Sequence, residues 1–237
     1  MLGQSSQHHF NQVWKRKMES QDGLVYVPGI NLRVDKALQN LSRGFGLLDI
    51  GCGNGILLSQ IQDRFEDARG IDVAEDAVNL VRQNGLRADV VNLNLESLPY
   101  PDSHFDVITI LSALQYFYDL NHVLGECYRV LSHSGILMLS VPNMRTFWRI
   151  GRLLFRGTFP RVSKDKEGYD GGTLHYFAFA NLNQLLVENG FKILWAHGIF
   201  CTPRFFERFP DRGWIGAIKR EFFGAETFIM AVKALRD

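Results

Sequence analysis

A chain of 237 residues that is 46% hydrophobic can bury a full core as one domain somewhat above the usual size. Its formal net charge of +1 offers no global field of the kind that non-specific nucleic-acid binding uses, and no apolar run reaches the length of a membrane span. Its 3 cysteines, Cys52, Cys127 and Cys201, are widely scattered, which suits free thiols in a reducing, cytoplasmic setting rather than a disulfide framework or a metal site.

The first thirty residues are polar, with His8, His9, Lys15, Arg16 and Lys17 but no continuous apolar region, and do not read as a secretory signal. Trp14, Tyr26 and Pro28 precede a helix expected near 31–41. Residues 1–44 then form an N-terminal cover segment or pack across the sheet. From residue 46 onward, short apolar runs alternate with helical patterns, the mark of a parallel sheet covered on both faces. Strands are expected near 46–50, 68–72, 88–92, 105–111 and 135–141, with crossover helices at Ile56 to Phe65, Glu75 to Asn84 and Asn121 to Leu131; Gly85 has the position of a C-terminal cap.

Residues 143–179 exceed what a crossover needs. Asn143 is placed to cap a helix carrying Phe147, Trp148, Ile150, Leu154 and Phe155, ended by Gly157 and Pro160. The polar run from Ser163 to Gly172 reads as mobile, and long loops beyond the carboxyl ends of strands carry function in open α/β sheets. This insert is the expected substrate lid. A helix follows over 181–189, where Asn181 and Gln184 have capping-box spacing and Gly190 stops it. Strand-like runs at Phe191 to His197 and Thr227 to Val232 close the chain, separated by an irregular stretch without a clear helix.

The most informative run is Leu47-Leu48-Asp49-Ile50-Gly51-Cys52-Gly53-Asn54-Gly55. A buried strand enters a glycine turn and then a helix, so the backbone turns sharply, leaves no side chain between itself and a ligand, and offers unpaired N–H groups. A dinucleotide fingerprint reads G-x-G-x-x-G, whereas here the glycines alternate. Asp49, inside the strand, would gain little beside a pyrophosphate and more beside a cation or amine.

Leu48 to Gly55 resembles motif I of the class I S-adenosylmethionine-dependent methyltransferases. Gly70-Ile71-Asp72 resembles the second strand of that family, about twenty residues on as a mononucleotide half-fold requires. The run Leu98-Pro99-Tyr100-Pro101-Asp102-Ser103-His104-Phe105-Asp106 follows the pattern before the fourth strand, and Arg129-Val130-Leu131 with Ser134-Gly135-Ile136-Leu137 resembles the junction into the fifth. The resemblance implies a doubly wound, seven-stranded, mostly parallel Rossmann-like sheet with its last strand antiparallel, in a single domain over 1–237.

It also implies S-adenosyl-L-methionine as cofactor. Gly51, Cys52, Gly53 and Gly55 would stand at close backbone approach, Asp49 in the network around the methionine ammonium, and Asp72, followed by Val73, on the ribose hydroxyls. Asn94 and Leu95 occupy the place that brackets adenine, where Asn94 departs from the commoner Asp, and Leu111 would supply backbone contacts. The expected activity is methyl transfer to a small-molecule acceptor, with no nucleic-acid partner.

Displacement at a sulfonium needs alignment and exclusion of water, and a base only for nucleophiles that must lose a proton. His175 is the candidate catalytic base, with His122 second and a lid-holding role as its alternative. Gln115 and Tyr116 fall where the family lines its acceptor pocket. Arg145, Arg149, Arg152 and Arg156 recur at helical spacing and read as a basic stripe, solvated or facing an anion, an acidic protein or a lipid surface. Arg204, Arg208 and Arg212 repeat it. Trp148, Phe155, Phe159, Tyr169 and Phe177 either shape an apolar acceptor pocket or complete packing.

A narrower resemblance runs through Ser140-Val141-Pro142-Asn143, Phe147-Trp148-Arg149, Leu153 to Gly157 and Leu174-His175, and is similar to the methionine biosynthesis protein W family. It implies the alternative of a cofactor-binding partner of an acyltransferase with little catalysis of its own.

Overall fold

The computed structural model describes residues 2–20, 25–163 and 169–234. Seven strands form one sheet: β1 (Gly44–Ile50), β2 (Phe65–Asp72), β3 (Ala88–Val90), β4 (Phe105–Leu111), β5 (Leu131–Pro142), β6 (Phe191–Cys201) and β7 (Gly224–Lys233), in the order β3-β2-β1-β4-β5-β7-β6. The pairs β1/β2, β1/β4, β2/β3 and β4/β5 are parallel, while β7 runs antiparallel to both β5 and β6. Strands buried on both faces explain the continuous apolar runs in the sequence.

The helices are α1 (Leu2–Ser20), α2 (Leu32–Asn40), α3 (Ile56–Ile61), α4 (Glu75–Gln83), α5 (Leu120–Val130), α6 (Phe147–Arg156), α7 (Phe179–Glu188) and α8 (Gly213–Ile218). Val34, Ala37, Leu57, Leu58, Ile61, Val78 and Val81 from α2, α3 and α4 fill one side of the sheet. Val123, Leu124, Cys127, Leu182 and Leu186 from α5 and α7 fill the other. The strand order reverses between β1 and β4, so these elements leave a crevice at their carboxyl ends.

Several expected boundaries move. The helix from Ile56 stops at Ile61, and Phe65 begins β2 instead, its ring buried against the backbone of Gly44. Asn143 does not cap α6, whose N-cap is Thr146; its amide donates to the carbonyls of Arg220, Glu221 and Gly224 at 2.9–3.1 Å and ties the end of β5 to the turn before β7. Gly157 does close α6, with φ 61°. In α7, Asn181 accepts from the N–H of Ala178 at 2.7 Å from inside the first turn, so the helix starts before the expected cap.

The stretch between β6 and β7 is not irregular. It holds a 3₁₀ turn (Arg204–Arg208), α8 and a π turn (Lys219–Phe223). Buried Lys219 organises it, donating to Asp211 at 2.8 Å and to the carbonyls of Phe209 and Glu207. That is a tertiary demand no local periodicity encodes. The centre of the expected mobile run, 164–168, lies outside the described residues. Among the described residues, no helix is long and apolar enough to cross a membrane.

Candidate functional site

The turn after β1 has three glycines in the left-handed region, Gly51 (φ 71°), Gly53 (φ 54°) and Gly55 (φ 74°), where other residues are strained. Their surroundings separate their roles. A Cβ on Gly51 would lie 2.6 Å from that of Ala113, and one on Gly53 would lie 2.3 Å from the Trp14 ring; both glycines line a cleft. Gly55 does not line it. Its missing Cβ faces Val81 at 3.0 Å and Leu86 at 3.4 Å, so this glycine seats α3 against α4 rather than meeting a ligand. Gly55→Ala is therefore expected to lower folding stability by about 1–2 kcal/mol while calorimetry finds cofactor affinity per folded molecule within about twofold of the parent.

Asp72 ends β2 with one carboxylate oxygen accepting from the N–H of Gly53 and the other from the N–H of Ala74, both at 2.9 Å. An ionised carboxylate has about four acceptor positions, and with the N–H of Val73 also directed at it capacity remains for a ligand hydroxyl. Burial raises its pKa, and the N–H donors pull the other way. Asp49 is buried in β1 and accepts from the Thr109 hydroxyl of β4 at 2.6 Å. Burial pushes Asp49 up to about 7, against the pull of Thr109 and with a further push from the charge of Asp72. Two acids sit close together with too few countercharges, and a cationic ligand group relieves both.

The cleft, about 850 Å³, lies at the switch between β1 and β4 and is lined by Asp49, Gly51, Cys52, Gly53, Asp72, Val73, Asn94 and Leu111. That size is within the usual range for small-molecule sites. Leu95 is a correction: the N–H groups of Leu95 and Glu96 both bond the carbonyl of Asn92, the chain turns there, and Leu95 is thrown outward at 64% exposure. Val91, Asn92 and Leu93 build that wall instead. Asn94 accepts from the N–H of Tyr118 at 2.8 Å, joining the wall to the loop after β4. Burial raises the Cys52 thiol well above its ordinary range, which leaves it an unreactive wall.

Gln115, Tyr116 and Phe117 line the far side of the cleft. The side-chain amide of Gln115 donates to the carbonyl of Ser112 at 2.9 Å, while its oxygen is buried with no partner among the described residues. His175 is not brought into this cleft. Its Nε2 faces the carbonyl of Phe117 at 2.8 Å and its backbone N–H meets the carbonyl of Gln115, so it fastens the insert to the loop after β4. His122 faces the carbonyl of Glu96 at 3.3 Å, also away from the cleft.

Other walls carry little local signal. α1, which no apolar stripe announced, lies over the glycine turn and places Ser6, Phe10, Val13, Trp14 and Lys17 on the cleft. It is held by the Phe10 ring edge-on to Tyr116 at 5.1 Å, by His9 on the carbonyl of Gly171 and by Asn11 accepting the N–H of Glu75. Arg33 and Glu226, 193 residues apart, form a two-pronged ion pair that also lines the cleft. Arg149, expected on a basic stripe, is instead 9% exposed and donates to the carbonyls of Asn143 and Ala225. Phe177 is core; Trp148, Phe155 and Phe159 do not line the cleft, and the Tyr169 side chain lies outside what is described.

Residues 48–139, the segment that builds this crevice, match the methyltransferase domain family. Over that segment the chain is similar to S-adenosylmethionine-dependent methyltransferases. A probable S-adenosylmethionine-dependent methyltransferase of Mycolicibacterium smegmatis is 33% identical over 114 residues, 48% of this chain and 44% of that protein. The chain thus spans less than half the length of that relative. Demethylmenaquinone methyltransferase of Listeria monocytogenes is 25% identical over 214 residues, covering 81% of this chain and 90% of that one. The fold is shared with a SAM-dependent methyltransferase from Archaeoglobus fulgidus, at a TM-score of 0.64 and 16% identity over 86% of this chain and 93% of that one.

S-adenosyl-L-methionine is the cofactor of this methyltransferase superfamily, and the cleft fits it. The remaining acceptor capacity of Asp72 suits a sugar hydroxyl, the acidic pair suits a cation, and the Gln115 oxygen, without a partner among the described residues, is open to a donor.

Proposed function

We propose that this protein transfers the methyl group of S-adenosyl-L-methionine to a small-molecule acceptor, as one domain over 1–237 with residues 1–44 as cover and 143–179 as insert. When bound, the cofactor supplies a methyl group already activated on a sulfonium. In this reading Asp72 holds the ribose, Asp49 holds the ammonium end, Gly51, Cys52 and Gly53 give backbone approach, and Val73, Asn94 and Leu111 complete the walls. α1 excludes water from above the glycine turn. Gln115, Tyr116 and Phe117 position the acceptor. The observation that carries the reading is the pair of acids at the ends of adjacent parallel strands, Asp49 buried and Asp72 half-buried, flanking a left-handed glycine turn on one cleft.

Titration with S-adenosyl-L-methionine and with NAD tests it: heat of binding with the first and none with the second is expected, and the reverse overturns it. The relatives named above are methyltransferases by name, and none supports the partner-protein alternative. The kind of acceptor is left to the walls beyond the cofactor, where Arg149 and the Arg33–Glu226 pair make a polar surface.

His175 acts in this reading as a positioning residue. His175→Ala is expected to cost about 1–2 kcal/mol of stability, with turnover per folded molecule within about threefold of the parent. A fall of about a hundredfold or more at unchanged stability is what loss of a base would produce.

A further inference from the structure

Ordinary surface helices turn apolar side chains inward and charges outward. α6 does the reverse. Its one buried side chain is Arg149, while Leu154 is 71% and Phe155 89% exposed. Trp148 and Leu153 are exposed as well, and at 3.6 residues per turn Phe147, Trp148, Leu154 and Phe155 share a face, while the exposed Arg152 and Arg156 lie on the opposite side with Arg149. No acidic residue occurs in this helix.

The surface continues across a ladder of rings. Phe147 stacks on Phe222 at 5.0 Å and meets Phe223 at 5.2 Å, and Phe223 stacks on Phe206 at 3.8 Å. Beyond it, Phe205, Phe209, Trp214 (74% exposed) and Ile218 stand in solvent, interleaved with exposed Arg204, Arg208 and Arg212. The acids of that segment are turned to other duties: Glu207 accepts the N–H of Cys201, and Asp211 is held by Lys36 and Lys219. Among the described residues, Arg152, Arg156, Arg204, Arg208 and Arg212 have no acidic partner.

We propose that this surface seats the protein on an anionic lipid bilayer. Leucine and aromatic side chains on one face, with arginines that have no acidic partner among the described residues on the other, is the composition of a helix lying in a membrane interface, and the arginines match lipid phosphates in charge. Two neighbouring elements repeat the pattern, which a solvated face has no physical reason to do. The same helix contributes Arg149 to the cleft wall, so the docked face and the cleft share one element.

Co-sedimentation of the full chain with vesicles tests the proposal without any turnover. Vesicles of equal parts phosphatidylglycerol and phosphatidylcholine are expected to carry the protein down at low salt, about tenfold more than phosphatidylcholine alone, with a blue shift of tryptophan emission. Leu154→Glu with Phe155→Glu is expected to abolish sedimentation at an unchanged melting temperature, and Arg152→Glu with Arg156→Glu to reduce it. Absence of sedimentation overturns the proposal. So does equal sedimentation of all variants, or a solution dimer that Phe155→Glu dissociates, which would make a second copy the occupant.

Discussion

Asp72→Ala is expected to weaken S-adenosyl-L-methionine binding by about 2–4 kcal/mol, some 30- to 1,000-fold by calorimetry. The proposed ribose role rests on the acceptor capacity left over once the backbone N–H groups of Gly53 and Ala74 have taken theirs. Alanine removes that capacity and also frees two N–H groups at the glycine turn and at the start of α4, so part of the loss arises from the turn relaxing. Asp72→Asn separates the contributions: its amide retains one accepting oxygen, and its affinity is expected between parent and alanine variant. Unchanged affinity in the alanine variant would contradict the ribose role.

A second large effect is expected from pH. Asp49 is raised to about 7 without a ligand, chiefly by burial. A cationic ammonium binds its ionised form, so below about pH 7 each binding event must first displace a proton, and affinity is expected to fall about tenfold per pH unit. Asp49→Asn is expected to flatten that profile at the weak, low-pH value. Calorimetry between about pH 6 and 8 checks both, and a profile unchanged by the substitution would remove Asp49 from the ammonium site.

The stability of the unliganded protein runs the other way. An unfolded aspartate ionises near pH 4, while the folded carboxyl keeps its proton to about 7. The contribution of this group is therefore favourable at low pH and is lost as pH rises between those values. In the proposed reading, tight cofactor binding and unliganded stability draw on opposite states of one carboxyl, and melting curves with and without ligand across that window should diverge as pH rises.

Much of the cofactor side was legible because it is local. A strand's apolar run, the glycines that follow and the acid at the end of the next strand lie within thirty residues, and each obeys a backbone rule, such as the left-handed φ of Gly51 and Gly53. The parallel order follows from the alternation of apolar runs with helices, and its reversal at β1 and β4 places the cleft. Gly55 and Leu95 sit in the same local motifs, yet one fills against Val81 and the other turns to solvent, because adjacent packing rather than motif membership sets a side chain's direction.

The sequence alone determined the doubly wound sheet, the glycine turn and the two acids beside it, since periodicity and φ preference act over a few residues. Only the tertiary structure decided that a polar N-terminal helix roofs the cleft, that His175 fastens a carbonyl, and that Arg149 goes inside while Phe155 stays out. Those outcomes depend on partners as distant along the chain as Gly53 from Trp14, Phe117 from His175 and Ala225 from Arg149. A buried hydrogen bond or a filled contact at such separation outweighs local propensity, and no local pattern records it.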